Sequence, residues 1–208
     1  MSSKDKLLLR EFSTFDYQTP KDEKGDFKLS EYGNIVIRGI IQRANAKNQN
    51  GRVYPRNILQ REIENYMQLV KERRATGELD HMDSPTVNLK NVSHVINKIW
   101  WEGDDVWGEI EVLEDTTQGK NLKALIKNGI KVGISSRSLG NLQEIGDTKY
   151  VLDDLYILCW DMVSEPSTHG AFMMSECKTY SEAALKGVYD RSVKLDRLAN
   201  AVLSHKKG

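Results

Sequence analysis

The sequence predicts an α+β chain, with a mainly antiparallel sheet curled into a barrel and helices packed around it. Apolar residues recur at helical spacing in two stretches, 58–70 and 122–126. Several other apolar runs, bounded by Gly, Asn and Asp, are short and rich in Ile and Val, as strands are. The clearest pair of runs, 92–101 and 106–113, is separated by Glu102-Gly103-Asp104-Asp105, which fits a hairpin. A chain of 208 residues is most simply one domain with appendages.

Residues 1–33 are polar, with a charged stretch at 21–26, and are expected to form a flexible arm. The main domain is placed at 34–175 and a helical tail at 176–208. Within the domain, 34–41 reads as a buried strand and 45–55 as a turn-rich link. Ile58, Leu59, Ile63, Tyr66, Met67 and Val70 then trace a helix, with Pro55 before it and Gly77 beyond. In the second hairpin strand Val106, Gly108, Ile110 and Val112 alternate with Trp107, Glu109 and Glu111. A second helix follows, with Thr117 as its cap, Leu122, Leu125 and Ile126 as its stripe and Gly129 as its stop. Residues 130–136 and 150–163 read as strands, the latter closed by Pro166. From 181 to 208, Leu185, Val188, Leu195, Ala199 and Val202 mark an amphipathic helix, able to dock on a partner, on another subunit or on its own domain. The four tryptophans, Trp100, Trp101, Trp107 and Trp160, read as core and interface anchors.

Composition removes several functions. Thirty basic against thirty acidic residues give no net charge, so there is no basic field for nucleic acid, and no such partner is expected. Cys159 and Cys177 suit a reducing compartment. Leu7-Leu8-Leu9 is the one apolar run near the start, short for a secretion signal, and nothing reaches membrane-spanning length. A soluble cytoplasmic protein without a membrane partner is expected.

Two segments carry chemistry, Gly77-Glu78-Leu79-Asp80-His81 and Gly133-Ile134-Ser135-Ser136-Arg137. A serine becomes nucleophilic when a base takes its proton, and imidazole does this near neutral pH. Together the segments suggest a serine hydrolase, although no Gly-x-Ser-x-Gly elbow is present. Of the four histidines, His81 follows a helix end and Gly77 on a loop. His94 lies in a strand, His169 follows Pro166, and His205 sits in a basic tail.

If Ile130, Val132 and Ile134 face the core, Ser136 joins them, while Lys131, Gly133, Ser135 and Arg137 take the other face. Ser135 is then the reachable hydroxyl, with Ser136 the fallback should a bulge swap the faces. Glycine at 133 would let a substrate backbone lie close. Asp161 sits in an apolar run, where a carboxylate needs a charged or donor partner; His81 and Arg137 both qualify. Asp153, Asp154 and Glu165 compete for the same role. Carboxylates beside His81 also leave open a metal-dependent hydrolase, although no His-x-x-x-His or Cys-x-x-Cys pair exists.

In order, spacing and wording the two segments resemble the prohead core proteases of T-even-type tailed phages, relatives of the herpesvirus assemblins. Asn50-Gly51-Arg52-Val53-Tyr54-Pro55, Ile99-Trp100-Trp101-Glu102-Gly103 and residues 133–140 extend the resemblance over about residues 34–170. It implies an assemblin-like barrel and a serine endopeptidase whose nucleophile is the first serine, Ser135, with His81 as base and a carboxylate, Asp161, as the third member. Arg137 would supply an amide and a cation to the oxyanion hole. No cofactor is implied and no metal. The implied substrates are scaffold, core and major capsid proteins inside a prohead assembling in the host cytoplasm, and a homo-oligomer is expected. The alternative is a non-enzymatic scaffold or capsid-assembly protein on the same barrel.

The resemblance further implies cleavage after a Glu preceded two positions earlier by Leu or Ile, and hence self-cleavage. Leu9-Arg10-Glu11, Leu29-Ser30-Glu31 and Leu142-Gln143-Glu144 qualify. The Glu11–Phe12 bond is preferred, with Leu7-Leu8-Leu9 as a plug that keeps the enzyme silent, and the third site is expected to lie in a protected hairpin.

Overall fold

The computed structural model describes residues 5–80, 83–164, 179–181 and 185. In chain order these form β1 (Lys6–Thr14), β2 (Val36–Arg43), β3 (Arg52–Val53), α1 (Arg56–Lys71), β4 (Thr76–Glu78), β5 (Val92–Glu102) and β6 (Asp105–Val112). Then follow α2 (Thr117–Lys127), β7 (Val132–Gly140), β8 (Leu142–Ile145), β9 (Thr148–Val151), β10 (Tyr156–Ser164) and β11 (Thr179–Tyr180).

Among the described residues the strands make three sheets, in the orders β10-β7-β1-β11, β2-β6-β5-β4 and β3-β9-β8. Pairing is antiparallel apart from the short β3–β9 contact. Among the described residues the strands do not curl into the expected barrel. The two four-stranded sheets are joined beside β4, where Leu79 bridges Met162. The reason lies in β4, which is three residues long and whose register on β5 shifts between Gly77 and Glu78. The Glu78 amide donates to the Asp161 carboxylate at 3.0 Å instead of to a strand carbonyl. Such a strand cannot carry a ladder from one sheet into the next.

The expectation of a flexible arm over 1–33 fails for its first described part. β1 lies inside its sheet, paired over Leu7–Gly140 to Thr14–Gly133 with β7, and over Lys6–Tyr180 and Leu7–Thr179 with β11. Leu8, Leu9 and Phe12 are buried, so the leucine run is core rather than plug. Residues 18–35 are also tied down, by bridges Gln18–Arg38, Lys21–Phe27 and Leu29–Ile35. Tyr180 pairs with β1, and Leu185 packs with Leu8 and Leu139, so these described parts of the 176–208 tail lie against the body. The amphipathic helix expected over 181–208 otherwise falls outside the described residues.

The other elements follow their patterns. α1 buries Leu59, Ile63 and Tyr66, and α2 buries Leu122 and Ile126. The cap of α2 is Thr116 rather than Thr117: its hydroxyl accepts from the Gly119 amide at 2.9 Å. Gly129 ends the helix at φ 70°, the left-handed conformation that favours glycine. The run 150–163 divides into β9 and β10, and 142–151 is the expected hairpin. Ile37, Ile63, Ile96, Ile110, Ile134 and Trp160 belong to one core, with Tyr66 edge-on to Trp160 at 4.9 Å. Trp100 and Trp107 stack at the β5–β6 end, and Arg56 lies over Trp101. No helix among the described residues is long and apolar enough to cross a membrane.

Candidate active site

β7 runs between β10 and β1, with Asp161 opposite Ser135 on one side and Phe12 on the other. Directly opposed residues of antiparallel strands share a face, so Ser135, Asp161 and Phe12 stand together with Gly133, Arg137 and Cys159. Ser136, opposed by Trp160 and Glu11, takes the other face with the core residue Ile134. The pleat therefore divides the two serines as expected. The Ser135 face is nevertheless covered: Ser135, Arg137 and Asp161 are all at 0% exposure. The space beside Gly133 is also filled, since a Cβ there would lie 2.2 Å from the Phe12 ring. What was read as room for a substrate backbone is room for β1.

Arg137 organises this face. Its Nε lies 3.0 Å from Asp161 Oδ2, and Nη2 donates to Asp161 Oδ1 at 3.2 Å and to Glu78 Oε1 at 2.9 Å. Nη1 donates to the carbonyls of Ser84 at 2.9 Å and Thr86 at 3.4 Å. Glu78 in turn accepts from the Asn88 amide at 2.7 Å and from Asn91 Nδ2 at 3.4 Å. The guanidinium thus clamps the loop over 83–88 onto the sheet. The expectation that this cation faces a developing oxyanion is corrected: its donors are committed to carboxylates and loop carbonyls. A second set of ties reaches Asp83, whose carboxylate pairs with Arg10 and whose carbonyl accepts from the Tyr180 hydroxyl at 3.0 Å.

Cys159 adds no nucleophile. Burial pushes its thiol well above the ordinary value, the Asp161 charge adds to this, and Sγ–H donates to Asp161 Oδ1 at 3.4 Å. Asp154, a competitor for the acid role, instead holds Asn141 at the far end of β7, accepting from its amide at 2.9 Å. Asp153 is exposed. His81, Met82 and Glu165 lie outside the described residues. Asp80, on the near side of His81, donates its amide to the Met162 carbonyl at 2.7 Å. Among the described residues no three His, Cys, Asp or Glu side chains gather as a metal cluster.

The sequence pattern assigned no role to Glu78 or Arg10, and marked Glu11 only as a cleavage-site residue. Glu78 stood in the histidine segment itself, and its partners, 10 to 59 residues away, leave no local trace. Gly77 has a spatial reason. A Cβ on it would sit 2.0 Å from the Trp160 carbonyl and 2.3 Å from His94 Nε2, so only glycine lets β4 approach β10.

His94 is structural. Its Nε2–H donates to the Trp160 carbonyl at 3.0 Å, so Nδ1 accepts from the Ser93 hydroxyl at 2.8 Å. Burial lowers its pKa from 6.5 to about 4, against the opposing pull of Asp161. A depressed histidine binds more protons unfolded than folded between these values. Stability is therefore full above pH 6.5 and falls as the pH drops towards 4, by on the order of 3 kcal/mol. Thermal melts between pH 7.5 and 4.5 are expected to show this loss in the wild type and a shallower one in His94→Gln.

The solved structure of the bacteriophage T4 capsid assembly protease aligns with a TM-score of 0.68 and 28% identity, covering 77% of this chain and 99% of that one. The prohead core protein protease of Enterobacteria phage T4 is 32% identical over 154 residues, 72% of this chain and 73% of the relative. The family described as prohead core protein serine protease matches residues 10–183, and the chain belongs to that family.

Proposed function

We propose that the chain is a serine endopeptidase of prohead maturation. Ser135 attacks the scissile carbonyl, His81 takes the hydroxyl proton and returns it to the leaving amine, and Asp161 orients the imidazole. One observation carries this reading: Asp161 stands directly opposite Ser135, and the segment entering His81 is anchored at the next residue of β10, Met162. The acyl transfer needs no cofactor. The relatives are named a prohead core protein protease and a capsid assembly protease, which supports core and capsid proteins as substrates; the proposal adds scaffold proteins, cleavage after Glu and action inside a prohead in the host cytoplasm.

Self-cleavage is assigned to the Glu31–Tyr32 bond rather than Glu11–Phe12. Glu31 lies on a turn, flanked by Leu29 at 53% and Tyr32 at 59% exposure, whereas Glu11 is inside a central strand. Proteases cut exposed turns and spare sheet interiors. β1 would remain in its sheet after the cut, so the two fragments separate only on denaturation.

The test is cleavage of a Leu-x-Glu peptide from a core protein. An organophosphorus fluoridate is expected to abolish it and EDTA to leave it unchanged. Denaturing intact-mass measurement is expected to find residues 1–31 released in wild type and retained in Ser135→Ala. Activity lost in EDTA and restored by a divalent metal would replace the serine reading with a metal one.

A further inference from the structure

Glu11 is a carboxylate in the interior of a sheet, on the core face, at 4% exposure. A run of alternating polar residues meets it. Asn48 Nδ2 at 2.6 Å and Asn50 Nδ2 at 2.8 Å donate to Oε2, while Arg52 Nη1 at 2.5 Å and Tyr54 Oη at 2.9 Å donate to Oε1. Each oxygen receives two donors, the arrangement a buried carboxylate requires. Burial and then the Glu11 charge raise the Tyr54 pKa well above its ordinary value, so its hydroxyl stays a donor. The run is preformed. Asn48 Oδ1 accepts from the amides of Asn50 at 3.0 Å and Arg52 at 2.9 Å, and Gly51 turns the chain at φ 72°. Asn50 Nδ2 also reaches the Arg10 carbonyl at 3.0 Å, so the clamp grips the backbone as well as the side chain.

β1 needs such a grip. Leu7-Leu8-Leu9 offers similar side chains to both faces, so its apolar pattern specifies register weakly. A slip by one residue would turn Arg10 towards the core and carry Glu11 to the Ser135 face. Buried polar groups are best attested where they fix register. Glu11 faces Ser136, and the preceding Arg10 pairs with Asp83 of the loop that Arg137 holds against the sheet.

We propose that Glu11 is a positioning residue. Clamped by Asn48, Asn50, Arg52 and Tyr54, it sets the register of β1 on β7, and through β7 and Arg10 it fixes Ser135 and the loop over 83–88. The inference rests on Ser135 as the nucleophile for its catalytic consequence, not for the clamp itself.

The test pairs kinetics with amide exchange on the full chain, at a temperature well below each variant's Tm. In a Ser135→Ala background, Glu11→Ala is expected to speed exchange in residues 6–14 and 132–140 by about tenfold or more, with α1 unchanged. With Ser135 present, Glu11→Ala is expected to lower kcat roughly a hundredfold with KM changed less than about threefold. Acetate at about 0.1 M should restore part of kcat by refilling the receptor, and should do nothing for wild type or for Arg52→Met. Tyr54→Phe, which removes a single donor, serves if Glu11→Ala does not fold, and should show the same pattern in smaller measure. Unchanged exchange in β1 and β7, or faster exchange with kcat intact, overturns the proposal. Failure of Ser135→Ala to abolish turnover overturns the serine reading while leaving the exchange result to judge the clamp.

Discussion

Replacing Ser135 by alanine is expected to lower peptide turnover by roughly four to six orders of magnitude, while Ser136→Ala costs less than about threefold. The contrast follows from the two faces of β7. Ser135 shares its face with Asp161 and Arg137, whereas Ser136 sits among Trp160, Glu11 and the core. Ser136 Oγ is buried with no hydrogen-bond partner among the described residues. Removing an unsatisfied buried hydroxyl relieves a desolvation penalty, so Ser136→Ala should leave Tm unchanged or raised. Single-turnover rates on a Leu-x-Glu peptide, with Tm as the folding control, decide the matter. A dead Ser136→Ala beside an active Ser135→Ala would mean that the chemistry uses the core face.

Periodicity made the scaffold of this site legible before the structure. Isoleucines of 34–41, the helical spacing of 58–70 and the alternation in 106–112 are local patterns, and each became the element it suggested. β1 was hidden because its evidence is not local. Lys6, Arg10 and Glu11 look like a solvated arm until their partners are known. Those partners are Asp154, Asp83 and the clamp at 48–54, all remote in sequence. Barrel closure was overestimated because β4 is too short to pass on a ladder, and three residues leave no periodic mark. At the site, the pleat separated the serines correctly. The pairing of Asp161 with Arg137 stood among the alternatives from the start, but nothing in the chain order says that Glu78 completes it.

That pairing sharpens what Asp161→Asn should do. Among the described residues, one guanidinium serves two fully buried carboxylates, Glu78 and Asp161. Asp161, opposite Ser135, is then the carboxylate placed to face an imidazolium forming at His81. Asparagine removes the carboxylate charge while the Arg137–Glu78 pair remains, and its amide oxygen can still accept the Glu78 N–H. Folding should survive, with a stability change within about 2 kcal/mol. Turnover should fall by up to about ten-thousandfold, and the acidic limb of kcat/KM should move to lower pH as the imidazolium loses its counter-charge. Arg137→Met is the informative comparison. It strands both carboxylates without their cation and releases the loop carbonyls, so its loss should be about 3–5 kcal/mol. Equal destabilisation by the two variants, with turnover in Asp161→Asn within about tenfold of wild type and no shift of the acidic limb, would mean that Asp161 serves the ion pair alone, and Glu165 would then be the remaining candidate for the acid.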